Sequence, residues 1–320
     1  MEIGVTFSHK HIKDLDLDLD KSLIGLNELG IKWVRLCCYW NEVESTEGRF
    51  NFESIQKLIN FCEINKINIV FSVGMKSPRY PEYYIPSWVR KKNKLRHGET
   101  ISISNTYLLN KTTSFVRRAV NKFKKYKSIK IWQVENEPLD PSGDSWLSIG
   151  KDFLNEEVKL VKRLDPSRKI MVNLWGNLLG IRKKYKQAIQ LADIIGIDLY
   201  LRCPVVFLKF FHKFVGPLDT GSRMNSIIAE IKDASKRLFI AELQMEPWEP
   251  NEIVTKKSNP RSFLPKHFIE NIEFAKSLNP EVTLLWGYEY WLWRKANGDD
   301  RYWNEAKKYF RKINNENCIC

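Results

Sequence analysis

Two glutamates stand where apolar runs end. The run Ile131-Trp132-Gln133-Val134 is followed by Glu135-Asn136-Glu137-Pro138, and the run Leu238-Phe239-Ile240-Ala241 by Glu242-Leu243. Two carboxyl groups held about 5–5.5 Å apart across a glycosidic bond cleave it with retention of configuration. One, ionised, attacks the anomeric carbon. The other, protonated, gives its proton to the departing oxygen. Burial and a neighbouring negative charge raise the pKa of the second, so one pair of identical side chains serves both roles. The plainer alternative is that each glutamate pairs with a lysine at a protein rim. Glu-Asn-Glu-Pro after one run together with Ala-Glu after another weighs against it.

The elements that must bring these residues together form a regular series. Short apolar runs at Ile3–Phe7, Trp33–Cys38, Ile67–Val73, Ile129–Val134, Lys169–Leu174, Ile194–Leu199, Leu238–Leu243 and Val282–Trp286 read as strands. Amphipathic segments between them read as helices, among them Leu19–Leu29, Phe52–Asn65, Tyr107–Tyr126, Trp146–Leu164 and Lys266–Leu278. Near-continuous apolar strands are those buried on both faces, and strand–helix alternation implies a parallel sheet. Eight units in 320 residues predict an α/β fold of the (β/α)₈ barrel type, which typically needs about 250 residues, as a single domain over 1–320. An open doubly wound sheet is the alternative that the pattern leaves standing. In such barrels the chemistry sits at the C-terminal ends of the strands. The Pro- and aromatic-rich stretch from Gly74 to about Ser104 is a long functional loop on this reading.

The strand ends carry a resemblance. Trp33-Val34-Arg35-Leu36, Asn136-Glu137-Pro138, Gly196-Ile197-Asp198-Leu199-Tyr200, Ile240-Ala241-Glu242 and Leu285-Trp286-Gly287 resemble clan A of the glycoside hydrolases, the (β/α)₈ group that includes families 5, 10, 39 and 42. The resemblance implies a retaining glycosidase that cleaves β-glycosidic bonds of an oligosaccharide, polysaccharide or glycoside, with no metal and no cofactor. It implies Glu137 as acid/base, Glu242 as nucleophile, and Asn136 as the donor to the sugar 2-hydroxyl. Arg35 and Tyr200 are implied as partners of the nucleophile, and Trp286 as the aromatic floor under the reacting sugar. Bland alternatives are a structural ion pair for Arg35, a packing aromatic for Tyr200 and a core position for Trp286.

Two stretches depart from the pattern. Ser72-Val73-Gly74-Met75-Lys76 lacks the histidine that many clan members carry near the end of strand three; either Lys76 replaces its hydrogen bonds or the sugar recognised differs. Val5-Thr6-Phe7-Ser8-His9 carries no diagnostic residue.

Tryptophan occurs 11 times, and Trp88, Trp146, Trp175, Trp248, Trp291 and Trp293 fall near loops at the same barrel end. Sugar C–H faces pack on aromatic rings, so Trp175, Trp248 and Trp291 are candidate subsite residues. Glu246 and Glu289 follow strands and are candidates for sugar hydroxyls or for water. Glu135, in register with Glu137, reads as a buried, paired carboxylate.

Three other functions compete. A non-catalytic carbohydrate-binding barrel has the same fold, because fold does not fix function. A transglycosidase uses the same site when an acceptor sugar outcompetes water. The net charge of +14 raises a polyanion or acidic-glycan binder. However, the basic clusters Arg90-Lys91-Lys92, Lys122 with Lys124-Lys125, and Arg182-Lys183-Lys184 are dispersed and no nucleic-acid motif occurs, so a solvated surface is favoured. The six cysteines show no zinc spacing. Cys37, Cys38, Cys62 and Cys203 read as free thiols, while Cys318 and Cys320 have no account. No run reaches the ~18 apolar residues of a membrane span. The apparent lack of a leader suggests a cytoplasmic protein, or a secreted one if the sequence was trimmed.

Overall fold

The eight apolar runs pair side by side in the computed structural model, which describes residues 1–176, 182–207, 211–215, 222–249 and 260–316. Cys318 and Cys320 lie outside the described residues, as do parts of the segments 202–222 and 246–264. The barrel strands are β1 (Glu2–Thr6), β2 (Trp33–Cys37), β3 (Asn68–Val73), β4 (Ile129–Val134), β5 (Lys169–Trp175), β6 (Ile194–Leu199), β7 (Arg237–Gln244) and β8 (Val282–Trp286). All neighbours are parallel, and β1 pairs with both β2 and β8, which closes the barrel. An open sheet is thereby excluded.

Strand alternation sorts the side chains into two environments. Val34 and Leu36 join the large core between barrel and helices, while Trp33 points inward. Inside, Trp33, Val70, Ile131, Met171, Ile194, Phe239, Ala241, Val282 and Leu284 form a dry plug. Above it lies a polar layer that includes Thr6, Arg35, Gln133, Asn173, Asp198 and Glu242, all buried. The plug excludes water from below, so charges in the layer above act in a low dielectric.

β7 carries an irregularity with a direct consequence. Against β6 its register slips between Ile240 and Glu242, and against β8 between Ile240 and Leu243. Ala241 faces the plug and Leu243 the outer core. The extra residue lets Glu242 also face inward, where strict alternation would have turned it out. A β-bulge re-aims a side chain in this way.

The helices follow the amphipathic segments, with local differences. The helix predicted from Trp146 begins at Lys151, because Ser148–Ile149 pairs instead with Thr100–Ile101 from the long loop after β3. That loop also holds the helix Ser87–Lys92. Residues 203–207 and 211–215 form an antiparallel hairpin after β6. The segment after β8 is the helix Tyr288–Ala296 rather than a loop. Cys37, Cys38 and Cys62 are buried free thiols, and the half-buried Cys203 donates from Sγ to the Tyr200 carbonyl at 3.1 Å. Among the described residues no helix is long and apolar enough to cross a membrane, and no group of three or more His, Cys, Asp or Glu side chains is arranged to hold a metal.

Candidate active site

Glu242 is gripped on both oxygens. Arg35, fully buried on β2, donates from Nη2 to Oε1 at 2.5 Å, and the Tyr200 hydroxyl donates to Oε2. Arg35 is itself fixed by donation from Nε to Thr6 Oγ1 at 3.1 Å. Burial works against the guanidinium charge, but the neighbouring Glu242 carboxylate holds it cationic. A buried ion pair of this kind keeps its carboxylate ionised, since neutralising one partner strands the other. Thr6 belongs to the strand in which the sequence showed nothing diagnostic. Its role as the arginine's acceptor has no motif to announce it.

Glu137 lies across the same pocket in a different setting. Its carboxyl is pushed up to about 8, first by burial and then by the charge of Glu242. Its backbone φ is +41°, and that of Glu135 is +60°, so the chain after β4 makes a strained, left-handed turn. The turn is held from outside. Lys76 Nζ donates to the carbonyl oxygens of Glu137 at 2.7 Å and Asp140 at 2.9 Å. The Glu137 N–H donates to Asn173 Oδ1 at 3.1 Å. Lys76 thus supports backbone and does not take over hydrogen bonds to the nucleophile position.

A polar relay runs from the Glu137 turn to Asp198 on β6. Asn173 Nδ2 donates to Asn136 Oδ1 at 2.8 Å and to Asp198 Oδ2 at 2.6 Å. Asp198 is fully buried, and its carboxyl is pushed well up by burial and then by Glu242 and Glu137, to which it is hydrogen-bonded. Three buried carboxyls therefore share one guanidinium. Glu242 alone touches Arg35, while burial and the neighbouring carboxyls favour the protonated forms of Glu137 and Asp198.

Glu135 is buried and turned away from the pocket. It accepts from the N–H groups of Met75 at 2.9 Å and Lys76 at 2.6 Å. Gly74 makes room: at φ +132°, a Cβ there would lie 2.3 Å from the Glu135 carboxyl carbon. Glu135 also lies beside Glu157, a buried carboxyl of the helix Lys151–Leu164. Burial raises both, Glu135 to about 7 and Glu157 well above its ordinary value, so the pair shares a proton.

The mouth is a cavity of about 410 Å³ lined by Arg79, Glu82, Asn136, Glu137, Trp146, Trp175, Tyr200, Glu242, Glu246, Trp248 and Trp286, among others. Trp248 packs on Trp175 at 5.9 Å and on Tyr200 at 5.1 Å between ring centroids. Trp286 reaches the pocket, but the Arg79 guanidinium covers its ring at 4.0 Å. Arg79 in turn binds Glu246 and, at 2.7 Å, Glu289.

Two sequence expectations are corrected here. Trp291 is not at the mouth. It is fully buried in the helix Tyr288–Ala296, packs on Phe268 and Tyr288, and donates to the Met245 carbonyl at 2.8 Å. Glu289 is likewise buried rather than open to sugar or water. Both errors come from reading an aromatic helix as a loop. The structure brings together Glu137, Glu242, Arg35, Asn136, Tyr200, Trp175, Trp248 and Trp286. Sequence reasoning missed Asn173, Asp198, Glu157 and Arg79.

Residues 36–196 match the model of glycosyl hydrolase family 10. Endo-1,4-beta-xylanase A of Thermoanaerobacterium saccharolyticum is 26% identical over 142 residues, which is 41% of this chain and 11% of that protein. Beta-galactosidase BgaA of Clostridium cellulovorans is 24% identical over 151 residues, 43% of this chain and 22% of that protein. The matched part is thus a minor share of each of these relatives. Among solved structures, the β-galactosidase of the psychrophilic Marinomonas ef1 superposes with a TM-score of 0.66 at 12% identity, over 98% of this chain and 60% of that one. A psychrophilic glycoside hydrolase family 10 endo-β-1,4-xylanase superposes with a TM-score of 0.59 at 16% identity, over 96% of both chains. At these identities the structural likeness concerns the barrel itself.

Proposed function

The chain belongs to glycosyl hydrolase family 10, and from that premise we propose that it hydrolyses β-glycosidic bonds by double displacement, with Glu242 as nucleophile and Glu137 as acid/base. The observation that carries the reading is the unequal setting of two carboxyls in one pocket: Glu242 bound by Arg35 and Tyr200, Glu137 pushed up to about 8. In the first step the Glu242 carboxylate bonds to the anomeric carbon while Glu137 passes its proton to the departing oxygen. The ester that forms no longer carries the negative charge that raised Glu137. The pKa of Glu137 then falls, and it becomes the base that takes a proton from water. That water attacks the anomeric carbon and releases Glu242.

Asn136 has its oxygen occupied by Asn173, which leaves its NH₂ for the sugar 2-hydroxyl. Trp175 and Trp248 offer an aromatic wall to the leaving side, and Trp286 bounds the other side. The charged side chains of the lining are one arginine against Glu82, Glu137, Glu242 and Glu246. That balance supports a neutral sugar over an acidic one and separates the +14 charge from the site. Proton NMR of the first product tests the proposal. The β-anomer appearing ahead of mutarotation is expected, and the α-anomer appearing first overturns it.

A further inference from the structure

We propose that this site removes single sugars from the non-reducing end of its substrate and does not cut within a chain, with Arg79 as the residue that sets the limit. The inference rests on the hydrolytic reading above and concerns what lies on either side of the reacting sugar.

An enzyme that cuts inside a chain needs room for sugar on both sides of the scissile bond. The proton donor must stand beside the oxygen that joins the reacting sugar to its leaving group. The leaving group therefore extends toward Glu137, where Trp146 and Trp248 are exposed. The sugar that bonds to Glu242 lies toward Trp286 and Arg79. On that side the pocket ends. Arg79 crosses from the loop after β3 to Glu246 after β7 and Glu289 after β8, with its guanidinium seated on Trp286.

What stands behind Arg79 is packed protein. Glu289 Oε1 accepts the Ser8 N–H at 2.5 Å, and Ser8 Oγ is hydrogen-bonded to the Tyr39 hydroxyl at 2.7 Å. Tyr39 packs on Tyr84 at 4.4 Å, and the Tyr84 hydroxyl donates to the Arg79 carbonyl at 3.1 Å. Ser8, Tyr39, Tyr84 and Glu289 are each at most 2% exposed. Among the described residues, the pocket takes no lining from the segments that follow β1 and β2. A second sugar on this side would have to displace a guanidinium that holds two carboxylates, leaving buried charges unpaired.

The test starts from 4-nitrophenyl β-glycosides of single sugars, to find the sugar that is turned over. The β-linked tetrasaccharide of that sugar and its 4-nitrophenyl disaccharide glycoside are then digested and followed by chromatography. The inference predicts monosaccharide and trisaccharide in equal amounts as the early products of the tetrasaccharide, and nitrophenol from the disaccharide glycoside only after a lag. Disaccharide at the first time points, or nitrophenol without a lag, overturns it and leaves hydrolysis intact. No release from any glycoside removes the hydrolytic reading and this inference with it. Arg79→Ala sharpens the result. The ratio of kcat/KM on the disaccharide glycoside to that on the monosaccharide glycoside should rise at least about tenfold, the scale of one hydrogen bond to a charged group. An unchanged ratio in a folded variant removes Arg79 from the account. If that variant does not fold, the product pattern of the natural sequence still decides.

Discussion

Glu137 and Glu242 face one pocket, yet their surroundings have little in common. Around Glu242 the protein supplies a buried guanidinium and a phenol, both donors, fixed on β2 and just after β6. Around Glu137 it supplies burial, the charge of Glu242 and a neighbouring carboxyl, Asp198, with the available cation, Lys76, spent on backbone carbonyls. The contrast teaches that charge state here is assigned by position in the barrel, since the two side chains are chemically identical. Donors concentrated on one carboxyl leave the other to keep its proton.

The sharpest way to break that contrast is to delete each carboxyl and offer azide in its place. Glu242→Ala should lose at least about 10⁴-fold in kcat, as loss of a nucleophile commonly does. Azide should restore turnover of an activated β-glycoside and give the α-glycosyl azide. Glu137→Ala should lose about 10²–10⁴-fold on substrates with poor leaving groups and give the β-glycosyl azide. The same azide anomer from both variants would mean that the two roles are not divided as described. Product NMR distinguishes the cases.

Next in size is the grip on Glu242. Arg35→Met leaves a buried carboxylate without its cation, a change that costs roughly 3–5 kcal/mol when a buried pair is broken. On that scale kcat/KM should fall by roughly two to four decades, since each 1.36 kcal/mol is tenfold. Tyr200→Phe removes one hydrogen bond to a charged group, worth about 1.5–3 kcal/mol, and should cost about 10–100-fold in kcat. No loss from either would show that Glu242 does not depend on this pair, and a larger loss from Tyr200→Phe would reverse their order. Steady-state kinetics on one aryl glycoside checks both.

The smallest expected effect is on stability. The Glu137 carboxyl is raised in the folded protein from an ordinary 4.5 to about 8. A raised carboxyl contributes stability that is present below the ordinary value and is lost as pH rises through about 8. The Tm of the natural sequence should therefore fall between pH 5 and pH 9, and that of Glu137→Gln should fall less. The shared-proton pair Glu135–Glu157 adds a fall of the same sign that remains in the variant. Parallel curves would place the Glu137 proton elsewhere. The same group should give kcat/KM an alkaline limb near pH 8.

Much of this was legible in the sequence, for identifiable reasons. Strands buried on both faces write themselves as apolar runs, so all eight barrel strands could be read within a residue or two. The residues that end those runs are few, which is why Glu137, Glu242, Arg35 and Tyr200 stood out. The bulge at Ala241 that turns Glu242 inward has no signature in sequence. Asp198 lay inside a recognised strand end, but one acid among apolar neighbours carries no mark of a shared proton. Glu157 sits beside Glu156 in an amphipathic helix, where an acid reads as surface. Arg79 lies in a loop whose path no periodicity predicts. Trp291 was misread because Tyr288–Trp293, dense in aromatic residues, shows no polar face to announce a helix.

The division of labour is tested most directly by trapping the covalent intermediate. A 2-fluoro β-glycoside with a good leaving group slows the second step, and peptide mass spectrometry then locates the attached sugar. The account predicts one label, on Glu242. A label on Glu137, Asp198 or Glu246, or stoichiometric turnover without any label, would contradict it.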